Sequence, residues 1–253
     1  MSVELHPFIL PIFIVKENKS MPNAAPFTLE EFCGTGFIMA PKLLITCWHC
    51  LKNVLPSDYH YGVGVKKPDG KYGLILLENI EQDRNGTDLA TSNLAYNSET
   101  PLKLSKSEIL MANDIWTYGY PLTDKRTNES GFNDFQLNGR FMKGYVTRSF
   151  FFRNSKEYKE IKSYELNFIV PEGISGAPLI KQDTMEVVGV IYGVNEVAVI
   201  DQFASIDAKT GERKPEIQRL MQFGLAHYTE TLHNLSGKAT GGKLLKEFIG
   251  VAM

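Results

Sequence analysis

Ser175 lies in the stretch PEGISGAPLI (residues 171–180), with Gly173 two residues before it and Gly176 directly after it. Glycine is used where the backbone must bend unusually or approach another group closely. The stretch therefore predicts a tight bend that presents one hydroxyl. A plain surface turn has the same composition, because glycine and serine are both common turn residues. The other interpretation is a nucleophile, which requires a base to remove the serine proton and a third group to orient that base.

Two other stretches offer such a base and such an acid. An apolar run, Leu43 to Cys47, leads almost directly into His49, so a rigid strand would deliver the imidazole. Asp88 follows a turn signal at Asn85-Gly86. Alone, a histidine at a strand end is more often structural and an aspartate beside a turn is more often a cap. Together with Ser175 they complete the set that nucleophilic catalysis by serine needs.

The three cysteines offer a different chemistry. Cys47 and Cys50 form a C-x-x-C with His49 inside it, and Cys33 stands apart. A structural zinc site would need a second ligand pair at a fixed spacing, and a redox motif would need a βαβ setting. The sequence has neither, so we expect free thiols in an intracellular chain and no metal.

A phosphate-loop spacing occurs near the end of the chain, in GKATGGK (residues 237–243). The next residue is Leu244, not the Ser or Thr that would hold magnesium, and no βαβ unit surrounds it. We interpret the stretch as a flexible linker before a short helix, since Leu244, Leu245, Phe248 and Ile249 recur at helical spacing. No cofactor is expected.

The elements that must position these residues are mostly short strands. Segments rich in β-branched and aromatic residues recur from GFIMA (residues 36–40) to FGLAHYT (residues 223–229). Residues 123–136 are polar and predict a surface loop. The pattern indicates an all-β protein, a barrel or a sandwich, with a short α-helix at the C-terminus.

The three motifs, in the order His, Asp, Ser, carry a family resemblance. ITCWHC around His49, TDLA around Asp88 and GISGAP around Ser175 resemble the triad motifs of trypsin-like serine proteases of the chymotrypsin fold, in the style of bacterial trypsin-like peptidase domains. The resemblance implies two packed six-stranded antiparallel β-barrels and the short C-terminal helix. The first barrel (1–102) would carry His49 and Asp88, and the second (103–253) would carry Ser175. Together they would form one protease unit.

The resemblance also implies a role for each residue of the site. His49 would take the proton of Ser175 and return it to the leaving amine, while Asp88 would hold the imidazole tautomer. The backbone N–H groups of Gly173 and Ser175 would form the oxyanion hole. A histidine with an ordinary pKa would place the acid limb of the pH profile at about 6.5.

A specificity pocket beside the nucleophile is implied in the same way. Its residues would be Ile169 and Val170 at the base, Tyr192, Gly193 and Val194 on one wall, and Gly224 and Ala226 on the other. None of them is charged, and an apolar pocket strongly disfavours a charged side chain. We therefore expect cleavage after uncharged, mainly aliphatic or aromatic residues.

Two departures from the secreted members of this family concern activation and redox state. Ile174 stands where those members carry an aspartate that pairs with a freshly cut N-terminus, so we expect no N-terminal zymogen processing. Cys33 and Cys50 stand near two positions that secreted members join by a disulfide. In a reducing compartment we expect them close together but unbridged.

Two other functions stay open at this point. The same double barrel could be a catalytically silent pseudoprotease that acts as a binding module, a hypothesis that Ile174 favours and the complete triad opposes. An α/β-hydrolase esterase would need a nucleophile, an acid and a histidine in that order. That order is met by Ser175, by Asp201 or Asp207, and by His227 or His233. Its nucleophile elbow reads G-x-S-x-G and opens a helix, whereas here Ala177 and β-like sequence follow.

Composition limits the partners. The net charge is −2 and no basic block occurs, which argues against a nucleic-acid partner. No apolar run approaches the roughly 20 residues of a membrane span, and FILPIFIV (residues 8–15) lacks the basic leader of a secretory signal. We expect a cytoplasmic protease that acts on protein or peptide substrates without a membrane partner. A regulatory partner is compatible with the sequence and is not identified by it.

Overall fold

The computed structural model describes residues 7–19, 26–67, 72–95, 100, 102–127, 133–153, 156–202, 205–206, 210, 213–214 and 217–251. The strands before residue 100 are β1 (Ile9–Glu17), β2 (Phe27–Ala40), β3 (Leu43–Cys47), β4 (Tyr59–Lys66), β5 (Tyr72–Gln82) and β6 (Leu89–Leu94). The later strands are β7 (Lys103–Leu104), β8 (Asp114–Gly119), β9 (Asp124–Thr127), β10 (Asn133–Gln136), β11 (Arg140–Phe152), β12 (Ile161–Leu166), β13 (Pro178–Lys181), β14 (Glu186–Gln202), β15 (Ser205–Ile206), β16 (Arg213–Lys214) and β17 (Ile217–His227). Two short helices, α1 (Thr229–His233) and α2 (Leu245–Phe248), follow.

The first six strands form a closed antiparallel barrel in the order β1-β2-β3-β6-β5-β4. Large apolar side chains such as Phe37, Leu44 and Ile45 fill it and are fully buried. The register of β3 against β6 pairs Cys47 with Leu89. The end of β3 and the start of β6 therefore meet at the same rim of the barrel.

The second barrel is built from β8, β11, β12, β13, β14 and β17. Its strands follow the order β13-β8-β11-β12-β17-β14, and pairing of β13 with β14 closes the ring. The short β7 adds to β14 in parallel. Tyr164, Leu166, Leu179 and Val188 are buried in its interior. The all-β double barrel implied by the resemblance is confirmed, while the division at residue 102 stays a prediction.

Two local predictions from the sequence are wrong. Residues 123–136 contain a β-hairpin, β9 with β10, where we predicted a surface loop. Its polar residues gave no strand signal because every residue of β9 is exposed. The predicted flexible linker at 237–243 contains a 3₁₀ turn, Lys238–Thr240, in which Thr240 is buried and bonds within the turn.

The helical prediction at the C-terminus holds for α2, which covers four residues. An additional helix, α1, precedes it and buries Leu232. Within the described residues, the helices are too short or too polar for any of them to cross a membrane.

Beyond the second barrel, β14 and β17 continue as a two-stranded ribbon. Their pairing runs from Ile191 opposite Ala226 out to Gln202 opposite Ile217. Apolar side chains on the outer part of the ribbon, among them Val199 and Leu220, are exposed. Most residues of the outer part of the ribbon are thus exposed.

Candidate active site

His49 and Asp88 meet at the rim where β3 ends and β6 begins. The Nδ1 atom of His49 lies 2.7 Å from Oδ2 of Asp88, and the backbone N–H of His49 donates to Oδ1 of the same carboxylate at 2.9 Å. The backbone N–H of Trp48 also donates to the carbonyl oxygen of Asp88, at 3.1 Å. Asp88 is 2 % exposed, whereas the side chain of His49 is 28 % exposed. The strand register thus fixes a histidine that is oriented by a buried acid and open to solvent on its other side.

The contacts of this pair move both pKa values apart. Burial by itself would lower the pKa of His49, but hydrogen bonds to Asp88 and Cys50 raise it to about 10. Burial by itself would raise the pKa of Asp88, but the hydrogen bond and charge of His49 lower it. The ordinary pKa of about 6.5 expected for His49 from the sequence is therefore too low, because contacts between distant residues are not visible in the sequence.

Ser175 lies in the loop between β12 and β13. Its carbonyl oxygen accepts a hydrogen bond from the backbone N–H of Thr35 at 2.9 Å and contacts the thiol of Cys50 at 3.7 Å. Gly176 has a φ of +89°, and a Cβ there would collide with the backbone of Thr35 and the side chain of Thr46. The loop that carries Ser175 is thus pressed against β2 and against the residue that follows His49.

Gly173 is held in an unusual conformation on the same loop. Its φ is +93°, and a Cβ there would lie 2.8 Å from the ring of Phe32 and 2.9 Å from the carbonyl oxygen of Tyr120. The hydroxyl of Thr35 donates to the carbonyl oxygen of Gly173 at 2.9 Å. Glycine is the residue that fits both this φ and this spacing.

Ile174, the departure noted in the sequence, is fully buried. It belongs to the apolar core of the second barrel and would touch a Cβ placed on Gly119. Its backbone N–H donates to the carbonyl oxygen of Pro171 at 3.4 Å. An apolar side chain at this position thus anchors the loop in the core, where secreted relatives use a charge.

Four of the predicted pocket residues lie around one point. Gly224 pairs with Val194, next to Gly193, and its N–H donates to the carbonyl oxygen of Phe168 at 2.8 Å. A Cβ on Gly224 would collide with the side chain of Val170. This glycine therefore leaves room between the two strands and the segment before the nucleophile.

The other predicted pocket residues are distributed differently. Ile169 is 55 % exposed, whereas Tyr192 and Ala226 are buried. The hydroxyl of Tyr192 donates to the hydroxyl of Ser163 at 2.8 Å. Ala226 contributes to the core of the second barrel. That these seven residues form a specificity pocket stays a prediction.

His227 and Tyr158 lie near Asp88, and no sequence pattern identified them as its neighbours. His227 is 1 % exposed, and its ring lies 4.5 Å from that of Tyr192. Burial lowers the pKa of His227 to about 4, against the opposing charge of Asp88. Burial and the charge of Asp88 raise the pKa of Tyr158. Both residues are uncharged at neutral pH and shield the acid from solvent.

The fold does not provide the setting of an esterase. Ser175 is followed by a strand, β13, and the all-β fold excludes an α/β-hydrolase. The ring of His233 donates to the carbonyl oxygen of Ser105 at 2.7 Å, a structural contact. Asp207 lies outside the described residues, and so does the side chain of Asp201.

Among the described residues, one group of side chains could share a metal ion: Cys47, His49 and Asp88. The ligand atoms of Cys47, His49 and Asp88 lie within 4.8 Å of one another. The thiol already contacts the carbonyl oxygen of Ile191 at 3.2 Å, and burial raises its pKa well above its usual value. A metal ion needs a deprotonated thiol, whereas this thiol is protonated and the acid is already bonded to histidine. These three side chains therefore fit a hydrogen-bonded site better than a metal site, and we assign no metal to them.

Cys33 and Cys50 lie near each other, as the resemblance implies. A Cβ on Gly34, which follows Cys33, would lie 2.7 Å from Sγ of Cys50. Burial and the charge of Glu31 raise the pKa of Cys33 to about 12. All three cysteines are free thiols in the structure.

Comparisons with known proteins identify the family and agree with the fold. Residues 34–190 match the trypsin-like peptidase domain family. The fold resembles the MamO protease domain from Magnetospirillum magneticum (14 % identity, TM-score 0.54, covering 90 % of this chain and 94 % of that one). It also resembles the active form of the Rv3671c protease from M. tuberculosis (16 % identity, TM-score 0.54, covering 98 % of this chain and 83 % of that one). A third similar structure is the HtrA-type protease AlgW with a decapeptide (15 % identity, TM-score 0.55, covering 97 % of this chain and 65 % of that one). No curated protein matches the chain in sequence. Because the family match spans more than half of its residues, the chain belongs to the trypsin-like peptidase domain family of serine proteases.

Proposed function

We propose that this protein is a serine endopeptidase that uses His49, Asp88 and Ser175 as its catalytic triad. The observation that carries the proposal is the double contact between Asp88 and His49. This contact occupies Nδ1 and makes Nε2 the nitrogen proposed to act as the base. The carbonyl oxygen of Ser175 contacts the thiol of Cys50, the residue that directly follows His49. The proposed base and acid come from the first barrel and the proposed nucleophile from the second. The contact between the Ser175 carbonyl oxygen and Cys50 supports their meeting at the junction of the two barrels.

We propose the following reaction for these three residues. The oxygen of Ser175 attacks the carbonyl carbon of the scissile bond while Nε2 of His49 takes its proton. The bond between carbon and nitrogen then breaks, and His49 returns the proton to the leaving amine. A water molecule, deprotonated by the same nitrogen, hydrolyses the resulting ester to Ser175. Asp88 keeps the Nδ1 proton in place and stabilises the imidazolium formed at each step.

The backbone N–H groups of Gly173 and Ser175 are the proposed oxyanion hole. Among the described residues, neither N–H donates to a protein group, although those of Ile174, Gly176 and Ala177 all do. Two unpaired donors on one constrained loop suit a developing negative charge, because preorganised N–H groups need no reorganisation during the reaction. Burial of Ile174 supports a hole that exists without cleavage of an N-terminus.

Protein or peptide chains are the proposed substrates. A fold neighbour, AlgW, is known with a decapeptide. The outward edge of β14 beyond Ile191 has no strand partner among the described residues, so an extended peptide can add to it. Backbone hydrogen bonds hold such an added strand, and they do not depend on the side chains of the bound peptide.

Labelling with a fluorophosphonate tests the proposal directly, because this probe reacts with an activated serine. We expect one label on the wild-type protein, located on the peptide that contains Ser175, and none on Ser175→Ala. His49→Ala should remove the label although the serine is still present. An unlabelled wild-type protein with an intact fold would instead identify a pseudoprotease that acts as a binding module.

A further inference from the structure

A cavity of about 560 Å³ opens beside Gly173, between β2 and the β9–β10 hairpin. It is lined by two groups of residues, one charged and one apolar. The apolar part contains Phe32, Phe135 and Leu122. The cavity reaches the proposed oxyanion hole because Gly173 and Glu172 form one of its walls.

The hairpin that forms the opposite wall is fixed to the first barrel. Lys125 on β9 donates its ammonium hydrogen to the carbonyl oxygen of Glu30 at 2.8 Å. Asn133 on β10 donates to the carbonyl oxygen of Leu29 at 3.1 Å. The ring of Phe135 lies 5.3 Å from that of Phe13 on β1. These contacts hold the hairpin against the first barrel and thereby define this wall of the cavity.

The charge of the lining is strongly asymmetric. Four carboxylates border the cavity, those of Glu30, Glu31, Asp124 and Glu172, against the single ammonium of Lys125. That ammonium is already engaged with a backbone carbonyl. A cationic side chain with an aliphatic stem suits this space, because the stem packs on the phenyl rings while the charge stays near the carboxylates.

The position of the cavity indicates which part of a substrate enters it. The pocket predicted for the residue before the cleaved bond draws on β14, β17 and the segment 169–170, and none of those residues lines the cavity. A peptide that passes Ser175 with its acyl side in that pocket must leave past Gly173. Its residues after the cleaved bond therefore reach the cavity.

We propose that this cavity binds the substrate residues that follow the cleaved bond and selects lysine or arginine there. This inference rests on the proposed endopeptidase function. It assigns specificity to Glu30 on β2 and to Glu172 beside Gly173, which both line the cavity. Selection on the leaving side is independent of the apolar selection expected on the acyl side.

Quenched fluorescent peptides test the proposal. They share one uncharged acyl side and carry Lys, Ala or Glu at the first three positions after the cleaved bond. We expect kcat/KM to be at least about tenfold higher for Lys than for Glu, the size expected of a few partly exposed charge pairs, and we expect the ratio to shrink at high salt. Glu30→Gln combined with Glu172→Gln should reduce the ratio. Glu247→Gln, on α2 and outside the lining, should leave it unchanged.

Binding of a cleavage product provides a measurement that does not require turnover. A trilysine amide added to Ser175→Ala should shift the NMR signals of Gly173 and Leu122, and should bind more weakly to the same protein with Glu30→Gln and Glu172→Gln. Equal binding, or equal cleavage of the Lys and Glu peptides, overturns the cavity proposal while leaving the protease intact. Binding of trilysine without cleavage of any peptide contradicts the proposed function and supports the cavity as a basic-peptide site.

Discussion

The strands that position His49 and Asp88, β3 and β6, are more deeply buried than the outer strands of the second half of the molecule. In β1 and β3, twelve of fourteen residues are buried, whereas β11 of the second barrel has one buried residue, Val146, and β9 has none. The first barrel holds His49 and Asp88 through strand register. The second presents Ser175, Gly173 and the surfaces that would meet a substrate, on loops and exposed strands.

This difference separates two requirements of catalysis. A base and its orienting acid must keep one geometry, since small displacements are costly to the reaction. A closed core provides that constancy because close-packed interiors resist deformation. Binding surfaces need exposed groups, and the hairpin β9–β10 and the β14–β17 ribbon provide them at the expense of burial.

Substitution in the triad should produce the largest effects. We expect Ser175→Ala and His49→Ala to abolish peptide cleavage while circular dichroism and thermal unfolding stay close to wild type. Asp88→Asn should lower turnover by about 10⁴, as in the type enzyme of this family, because the amide favours the wrong tautomer of the imidazole. Turnover by Ser175→Ala, purified free of other proteases, would contradict the assignment.

Specificity on the acyl side should be the next largest effect. A peptide library is expected to give cleavage after uncharged aliphatic or aromatic residues, with charged residues disfavoured by about a hundredfold or more, because burying an unpaired charge costs several kcal/mol. Gly224→Val should lower cleavage after large residues, because its side chain would collide with Val170 and with the backbone of Phe168 and displace the segment before the nucleophile. Dominant cleavage after Arg, Lys or Glu would contradict the apolar pocket.

A matched pair of leucines measures the difference between the regions directly. Leu44→Ala in the first barrel should lower the free energy of unfolding by about 2–5 kcal/mol, because it leaves a cavity in a fully buried core. Leu220→Ala on the ribbon is 65 % exposed and should change it by no more than about 0.5 kcal/mol. Urea denaturation of both variants decides the matter. Similar losses would mean that the ribbon is packed against something in solution.

The pH dependence of kcat/KM tests the contacts that the first barrel fixes around His49. Because the pKa of His49 is raised to about 10, the neutral base becomes available only at high pH, so the acid limb of kcat/KM should lie well above 6.5. Cys50→Ala should move the limb to lower pH, since Cys50 contributes to the raised value. An unshifted limb in Cys50→Ala would contradict that contribution.

The same shift makes stability depend on pH. With the folded pKa of His49 above its unfolded value of about 6.5, the pair with Asp88 stabilises the fold fully below that pH. The stabilisation is lost as the pH rises through about 10. Thermal unfolding across this window should show the loss in wild type and a smaller loss in Asp88→Asn.

The thiols should give the smallest effect. We expect three free thiols after denaturation under reducing conditions, slow labelling in the folded state because burial raises the pKa values of Cys33 and Cys47, and no change in activity on reduction. This result would support the cytoplasmic location that we also propose. Loss of activity on reduction would identify a structural disulfide and contradict that location.

Several parts of this site were predictable because they depend on local patterns. The strand before His49, the turn before Asp88 and the glycines around Ser175 each have signals within a few residues. The motifs together identify the family, and the family implies the double barrel. The hairpin β9–β10 was missed because β9 is entirely polar and β10 has one apolar residue, Phe135, which is too few for the apolar face on which strand prediction depends.

The sequence by itself determined which residues could form a base, an acid and a nucleophile, and that the chain is all-β, because residue types and short spacings are local properties. Only the tertiary structure decided that Cys47 pairs with Leu89 and so brings His49 to Asp88. It also decided that His227 and Tyr158 surround the acid, that the pKa of His49 rises, and that four carboxylates meet beside Gly173. These features depend on burial and on contacts between residues far apart in the chain, and a short stretch of sequence reveals neither of them.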